Sequence, residues 1–195
     1  MMKKTIATFI ILLFLGEGYS QNQKYPSFDI EQVSKNVYLG VFHRPDNGVR
    51  IGSKITILKG DEGLLLVDAS FAQIYQLTRI KLKEFSNLPV KYVINTHFHV
   101  DHTGANGLFK KDGAIIIAHE NVKEILSKEQ KGFGLSALNS KDVFPAVPQS
   151  DLPDKTFKNA MELTFNDEEI TITHFPNAHT NGDAVVFFKK ANVYD

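Results

Sequence analysis

The sequence predicts an α/β fold, and three observations predict it. Short apolar, β-branched runs at 64–67, 89–96 and 114–118 are each bounded by turn residues, as strands buried on both faces would be. Helical spacing separates the first two, with Ile74, Leu77, Ile80, Leu82 and Phe85 recurring mostly at three-residue intervals. Outside this region the apolar residues alternate, which is the pattern of antiparallel strands. Strand, helix, strand repeated along the chain gives βαβ units and a parallel sheet.

The chain opens with Met1-Met2-Lys3-Lys4, an apolar stretch from Ile6 to Leu15, and the small residues Gly18 and Ser20 before a polar Gln21-Asn22-Gln23. This order reads as a secretory signal peptide over residues 1–20, cleaved after Ser20, because the apolar core is too short to span a bilayer. Residues 21–195 then form one domain, with no stable membrane span left after cleavage. The chain has no cysteine, so it carries neither a disulfide nor a lipid-attachment thiol, and export to a bacterial periplasm or beyond is the simplest destination. Lys plus Arg and Asp plus Glu stand at 22 each, with no basic run, which argues against a nucleic-acid partner. A hydrophobic content of 43% with 15 Phe marks a globular domain.

In order, 36–42 and 53–59 read as antiparallel strands, and the loop His43-Arg44-Pro45-Asp46-Asn47-Gly48 between them could hang over a site. His43 itself reads as a solvated surface residue. Gly60-Asp61-Glu62-Gly63 is a hairpin turn into the buried strand Leu64 to Val67. Asp68 ends that strand, either as a helix cap or as a partner orienting a ligand imidazole. A helix spans 71–85, a short one begins at 105, and another covers 120–128. His119, at the end of the strand 114–118, reads as structural. Residues 130–158, with Gly132, Gly134, Pro145, Pro148 and Pro153, have little periodicity and read as a long surface excursion. Segments 161–165, 169–175 and 184–188 read as three strands of a second sheet, with His174 a satisfied residue inside the middle one and Ala184 to Lys190 an exposed edge.

The chemistry concentrates in Thr96-His97-Phe98-His99-Val100-Asp101-His102-Thr103-Gly104, directly after the strand 89–96. Four candidate metal ligands fall within six residues, although the whole chain has only 7 histidines. Ligands at the carboxyl end of a buried strand point into a crevice, where His97 and His99 can turn to one side while Asp101 and His102 need an irregular turn to converge. Imidazole with a little carboxylate suits Zn²⁺.

His97-Phe98-His99-Val100-Asp101-His102 resembles the His-x-His-x-Asp-His signature of the metallo-β-lactamase-fold hydrolases. The resemblance extends to Gly63-Leu64-Leu65-Leu66-Val67-Asp68 before it and Ala178-His179-Thr180-Asn181-Gly182-Asp183 after it, in the family's order. It implies a four-layer αββα sandwich with the site along one edge between two sheets. It further implies that His97, His99 and His179 hold one Zn²⁺ and that Asp101 and His102 hold part of a second, with Asp68 beside the metals. Asp101 would also be catalytic, orienting a metal-bound hydroxide or carrying a proton to the leaving group.

The family pattern continues past a strand like Asn192-Val193-Tyr194 to a bridging aspartate in a Gly-Asp and a later histidine. Read against it, the domain is truncated at its carboxyl end: Asp195 stands just before that Gly-Asp, or is itself the bridging residue after a deletion. The function implied is a zinc-dependent hydrolase acting on a small carbonyl substrate, a β-lactam or related cyclic amide or ester. The alternatives are a thioester hydrolase of the glyoxalase type and a fragment that only binds metal. A flavo-di-iron oxidoreductase shares the fold but carries Glu in place of His99.

Overall fold

The computed structural model describes residues 27–43, 50–131 and 143–195. The signal-peptide reading, most of the loop after His43, and Gly132 and Gly134 lie outside them. Strands β1 (Ser27–Gln32), β2 (Val37–His43), β3 (Arg50–Gly60) and β4 (Gly63–Val67) form an antiparallel meander. The next strands, β5 (Val90–Ile94) and β6 (Ile115–His119), then extend the sheet in parallel from β4. Helix α1 (Tyr75–Phe85) makes the first crossover, and the short helices α2 (Val100–Thr103) and α3 (Asn106–Lys111) make the second.

The strands β4, β5 and β6 are buried on both faces because successive side chains alternate between two cores. Leu64, Leu66, Val93 and Ile116 face the helices, joining Tyr75, Leu82 and Phe109. Leu65, Val67, Ile94 and Ile117 face the opposite way, against Ile170, Ile172, Val186 and Phe188 of a second sheet. That sheet has four strands, β10 (Ala160–Phe165), β11 (Glu168–His174), β12 (Ala184–Phe188) and β13 (Val193–Tyr194), all antiparallel. Helices, sheet and sheet are three of the four expected layers. Among the described residues none of the helices belongs to the second sheet, whose outer side carries the stacked Phe187 and Tyr194 rings.

Three expectations change. The strand expected at Asn192-Val193-Tyr194 joins the second sheet as its fourth, pairing along Phe187 and Phe188, so Ala184–Phe188 is not the open edge expected. The described parts of the excursion, residues 130–131 and 143–158, are also more ordered than its composition suggests. Gln130–Lys131 (β7) pairs with Val143–Phe144 (β8), and Lys155–Phe157 (β9) runs parallel to β6 as the seventh strand of the first sheet. Helix α4 (Glu120–Leu126) precedes this segment and packs Val122 and Leu126 on Phe98 and Leu152. Finally, Asp101 and His102 sit in the helical turn α2 rather than in an irregular one.

The two hairpins at the end away from β5's carboxyl terminus lock the sheets together. Asn166 and Asp167 adopt left-handed φ values of 54° and 58°, as a two-residue primed turn requires. Asn166 Oδ1 accepts the Glu62 N–H at 2.9 Å, while the Glu62 carboxylate accepts the Asn166 N–H at 2.7 Å.

Candidate metal centre

The strand β5 ends at Ile94, and the chain then turns so that His97 and His99 leave the sheet at its carboxyl edge. The second sheet supplies His179 from the loop after β11, and Ala184 N–H donates to Thr96 O at 2.8 Å, holding that loop against the first sheet. Three imidazoles therefore converge. His99 Nδ1 lies 3.1 Å from both His97 Nε2 and His179 Nε2, and one donor atom from each residue lies within 4.8 Å of the others. Tetrahedral Zn²⁺ with Zn–N near 2.0–2.1 Å sets its nitrogens about 3.3 Å apart, so the spacing of this donor set fits such an ion. His97 is buried, His99 half-buried and His179 exposed, which leaves the cluster open to solvent on one side.

The tautomer of His97 follows from its neighbours. Thr96 Oγ1 donates its proton to Asp68 Oδ2 at 2.8 Å and stands 3.0 Å from His97 Nδ1. With the hydroxyl proton committed, Nδ1 carries the hydrogen and Nε2 keeps its lone pair for the cluster. Burial, reinforced by the charge of His102, pushes His97 down to about 4, and burial also lowers His99. Both rings are therefore neutral at neutral pH, the form that ligates metal.

Asp101 and His102 form a second pair beside this trio. The His97 and His102 ring centroids are 3.9 Å apart. His102 Nε2 lies 3.3 Å from Asp101 Oδ2 and its Nδ1 2.6 Å from Asp68 Oδ2. Burial alone would lower His102, but its hydrogen bonds to these two carboxylates outweigh burial and raise it to about 10. Asp101 is held below the ordinary carboxylate range, since the hydrogen bond and charge of His102 overcome the effect of burial. Asp68 caps no helix. Its backbone is left-handed, φ 68°, and its Oδ1 accepts the Thr96 N–H at 2.8 Å.

The other histidines have other partners. His43 lies 3.3 Å from Asp29. His119 Nε2 donates to Lys158 O at 2.7 Å, and its ring stacks on His174 at 3.7 Å. His174 Nδ1 in turn donates to Asp183 O at 2.8 Å. Asp195 hydrogen-bonds Thr56 and pairs with Val186 through the backbone. Burial, with Asp68 nearby, raises its carboxyl group.

Sequence reasoning missed Thr96, whose hydroxyl links Asp68 to His97, and the Asn95–Asn106 pair beneath the loop. Asn95 and Thr96 follow β5 directly and Asn106 opens α3, but Thr and Asn are too common at such places to stand out.

The family profile described as the Metallo-beta-lactamase superfamily matches residues 49–194. Over 200 aligned residues the chain is 28% identical to "Metallo-beta-lactamase IND-1" of Chryseobacterium indologenes, covering 100% of this chain and 73% of that protein. Among solved structures, metallo-beta-lactamase IND-7 superposes with a TM-score of 0.65 at 24% identity, over 86% of this chain and 69% of that one. The metallo-beta-lactamase from Pontibacter korlensis gives 0.64 at 19% identity, over 84% and 68%. At these identities the two structures speak to fold alone.

Proposed function

The chain belongs to the metallo-β-lactamase superfamily and is a metal-binding hydrolase of it, and from that premise we propose a zinc enzyme that opens a β-lactam or a related cyclic amide or ester. The observation that carries this reading is the convergence of His97, His99 and His179 on a solvent-open point. A Zn²⁺ bound there supplies Lewis acidity and brings the pKa of bound water to about 7.

The protein's own groups divide the remaining work. The proposed ligands are His97, His99 and His179 for one ion, with Asp101 and His102 contributing to a second, which would have to displace the proton that His102 Nε2 shares with Asp101. Asp68 orients His102 through the 2.6 Å hydrogen bond. Asp101, ionised and partly exposed, would orient a metal-bound hydroxide or carry a proton to the leaving group. A cavity of about 250 Å³ begins at His99 and is walled by Phe98, Val100, Leu126, Val147 and Pro148, which suits the apolar part of a small molecule.

The test combines metal analysis with two assays on the purified chain, hydrolysis of a chromogenic cephalosporin and of an acyl thioester, for wild type and His97→Ala. Turnover of the cephalosporin that depends on Zn²⁺ and on His97 is expected. Turnover of the thioester alone would move the substrate to the second reading, and metal-independent turnover of either would overturn the zinc mechanism.

Export is part of the same proposal. The Lys3-Lys4 start, the apolar core and the Gly18/Ser20 pair support it, and among the described residues no helix is long and apolar enough to cross a membrane. Amino-terminal sequencing of protein from a periplasmic extract should begin at Gln21; a chain that retains Met1 would remove the export argument.

A further inference from the structure

Beneath the loop that carries four of the proposed ligands lies a pair of carboxamides to which the chemistry above assigns no role, although Asn106 also lines the cavity beside His99. Asn95 is 0% exposed and Asn106 2%. Asn106 Nδ2 donates to Asn95 Oδ1 at 2.8 Å, and Asn95 Nδ2 donates to Asn106 Oδ1 at 3.0 Å and to His102 O at 3.2 Å. We propose that this reciprocal amide pair positions the metal loop: it fastens the two ends of segment 96–105, and so fixes where His97, His99, Asp101 and His102 present their donor atoms. The inference rests on the ligand assignment proposed above.

The argument is one of cost and geometry. Two carboxamides in a core lose their water, and that loss is recovered only when both amides meet in one mutual orientation. Apolar residues there would tolerate several packings, whereas the pair tolerates one. Neither the sheet nor the carbonyl of His102 needs it. Asn95 N–H already donates to Ile117 O at 2.8 Å, and His102 O already accepts the Ala69 N–H at 2.8 Å. What the pair adds is a tie from the last residue before Thr96-His97, across the loop, to the first turn of α3. His97 is two residues from one end of that tie, and the His102 carbonyl is bonded to it directly. Asn95 and Asn106 are thus positioning residues, acting through the backbone of the ligands.

The experiment replaces both amides together, Asn95→Leu with Asn106→Leu, so that no buried polar group is left unpaired and the fold is kept. Asn106→Ala serves as a second, less crowded variant. Zn²⁺ affinity by chelator competition, the visible spectrum of the Co²⁺-loaded protein and thermal midpoints are compared with wild type and with His97→Ala. Expected are a thermal midpoint of the metal-free double variant close to wild type, Zn²⁺ binding weakened at least about tenfold, and Co²⁺ bands altered in position and intensity. Unaltered Co²⁺ bands and affinity in folded Asn95→Leu/Asn106→Leu or Asn106→Ala protein, with His97→Ala impaired, would overturn the positioning role while leaving the ligands in place. Binding lost only in proportion to the unfolded fraction would also overturn it. Wild type and His97→Ala binding alike would instead sink the ligand assignment, and this inference with it.

Discussion

Asp68 Oδ2 stands 2.6 Å from His102 Nδ1 although the residues are 34 apart in sequence. The carboxylate comes from the end of one strand and the imidazole from the helical turn beyond the next, so the parallel pairing of β4 with β5 makes the contact. Replacing Asp68 by Asn keeps an acceptor for the Thr96 N–H but weakens the acceptor that fixes the His102 ring. Metal affinity of the Asp101/His102 side is expected to fall about 10- to 100-fold, read by chelator competition. Imidazole nitrogen shifts should show His102 Nδ1 losing its strong hydrogen bond; unchanged shifts would mean that Asp68 does not set the ring.

His97→Ala, His99→Ala and His179→Ala are each expected to lose tight Zn²⁺ binding, since each removes one of three clustered imidazoles. His43→Ala should retain it, because that ring sits beside Asp29 on the meander. Metal content after gel filtration decides, and equal content in all four variants would refute the assignment.

Acid should expose Asp154. Burial alone would raise its carboxyl group, but the Lys110 ammonium at 2.8 Å and the Ile116 N–H at 2.9 Å hold it below the ordinary value. The folded state therefore binds this proton more weakly than the unfolded chain. Its contribution is present above the unfolded value near about 3.9 and is lost as pH falls through the lowered folded one. With the side chain 38% exposed, the contribution is expected to stay under about 1 kcal/mol. Asp154→Asn should thus be less stable than wild type at pH 7 by that small margin, and the gap should narrow between pH 7 and pH 3. Urea midpoints at the two pH values measure this, and a gap that does not change with pH would count against it.

Leu65 is fully buried between the two sheets. Leu65→Ala is expected to cost about 2–5 kcal/mol in urea unfolding, while the folded fraction keeps the wild-type Zn²⁺ stoichiometry. A cost below about 1 kcal/mol would mean that the inter-sheet core closes around the gap.

Much of this architecture was legible because its signals are local. The run Leu64 to Val67 has no polar position, and only a strand covered on both sides accommodates that. The sequence likewise places His97 and His99 together at one strand's end, and the structure brings His179 to them. What escaped depends on distant pairing. Lys155–Phe157 is a strand only because β6 offers it an edge. Thr96 and the Asn95–Asn106 pair have ordinary identities, and their meaning comes from the burial that surrounds them. The helical turn at Val100–Thr103 is four residues long, too short for any periodicity to announce.

The joining of the two sheets at opposite ends has a mechanical consequence. One end is tied, whatever the metal content, by the Glu62–Asn166 hydrogen bonds between hairpins. At the other, His99 and His179, 80 residues apart, meet across the sheets, and an ion held by both would cross-link a chain that has no cysteine to do so. Such a link constrains the open chain as a disulfide does, yet a chelator can undo it. Withdrawal of metal is therefore expected to loosen the His179 loop at the ligand edge, while the Ala184–Thr96 hydrogen bond and the buried core between the sheets keep the sandwich closed. Amide exchange should quicken between Phe175 and Ala184 while the amides of β4 to β6 and of the Glu62–Asn166 end stay protected.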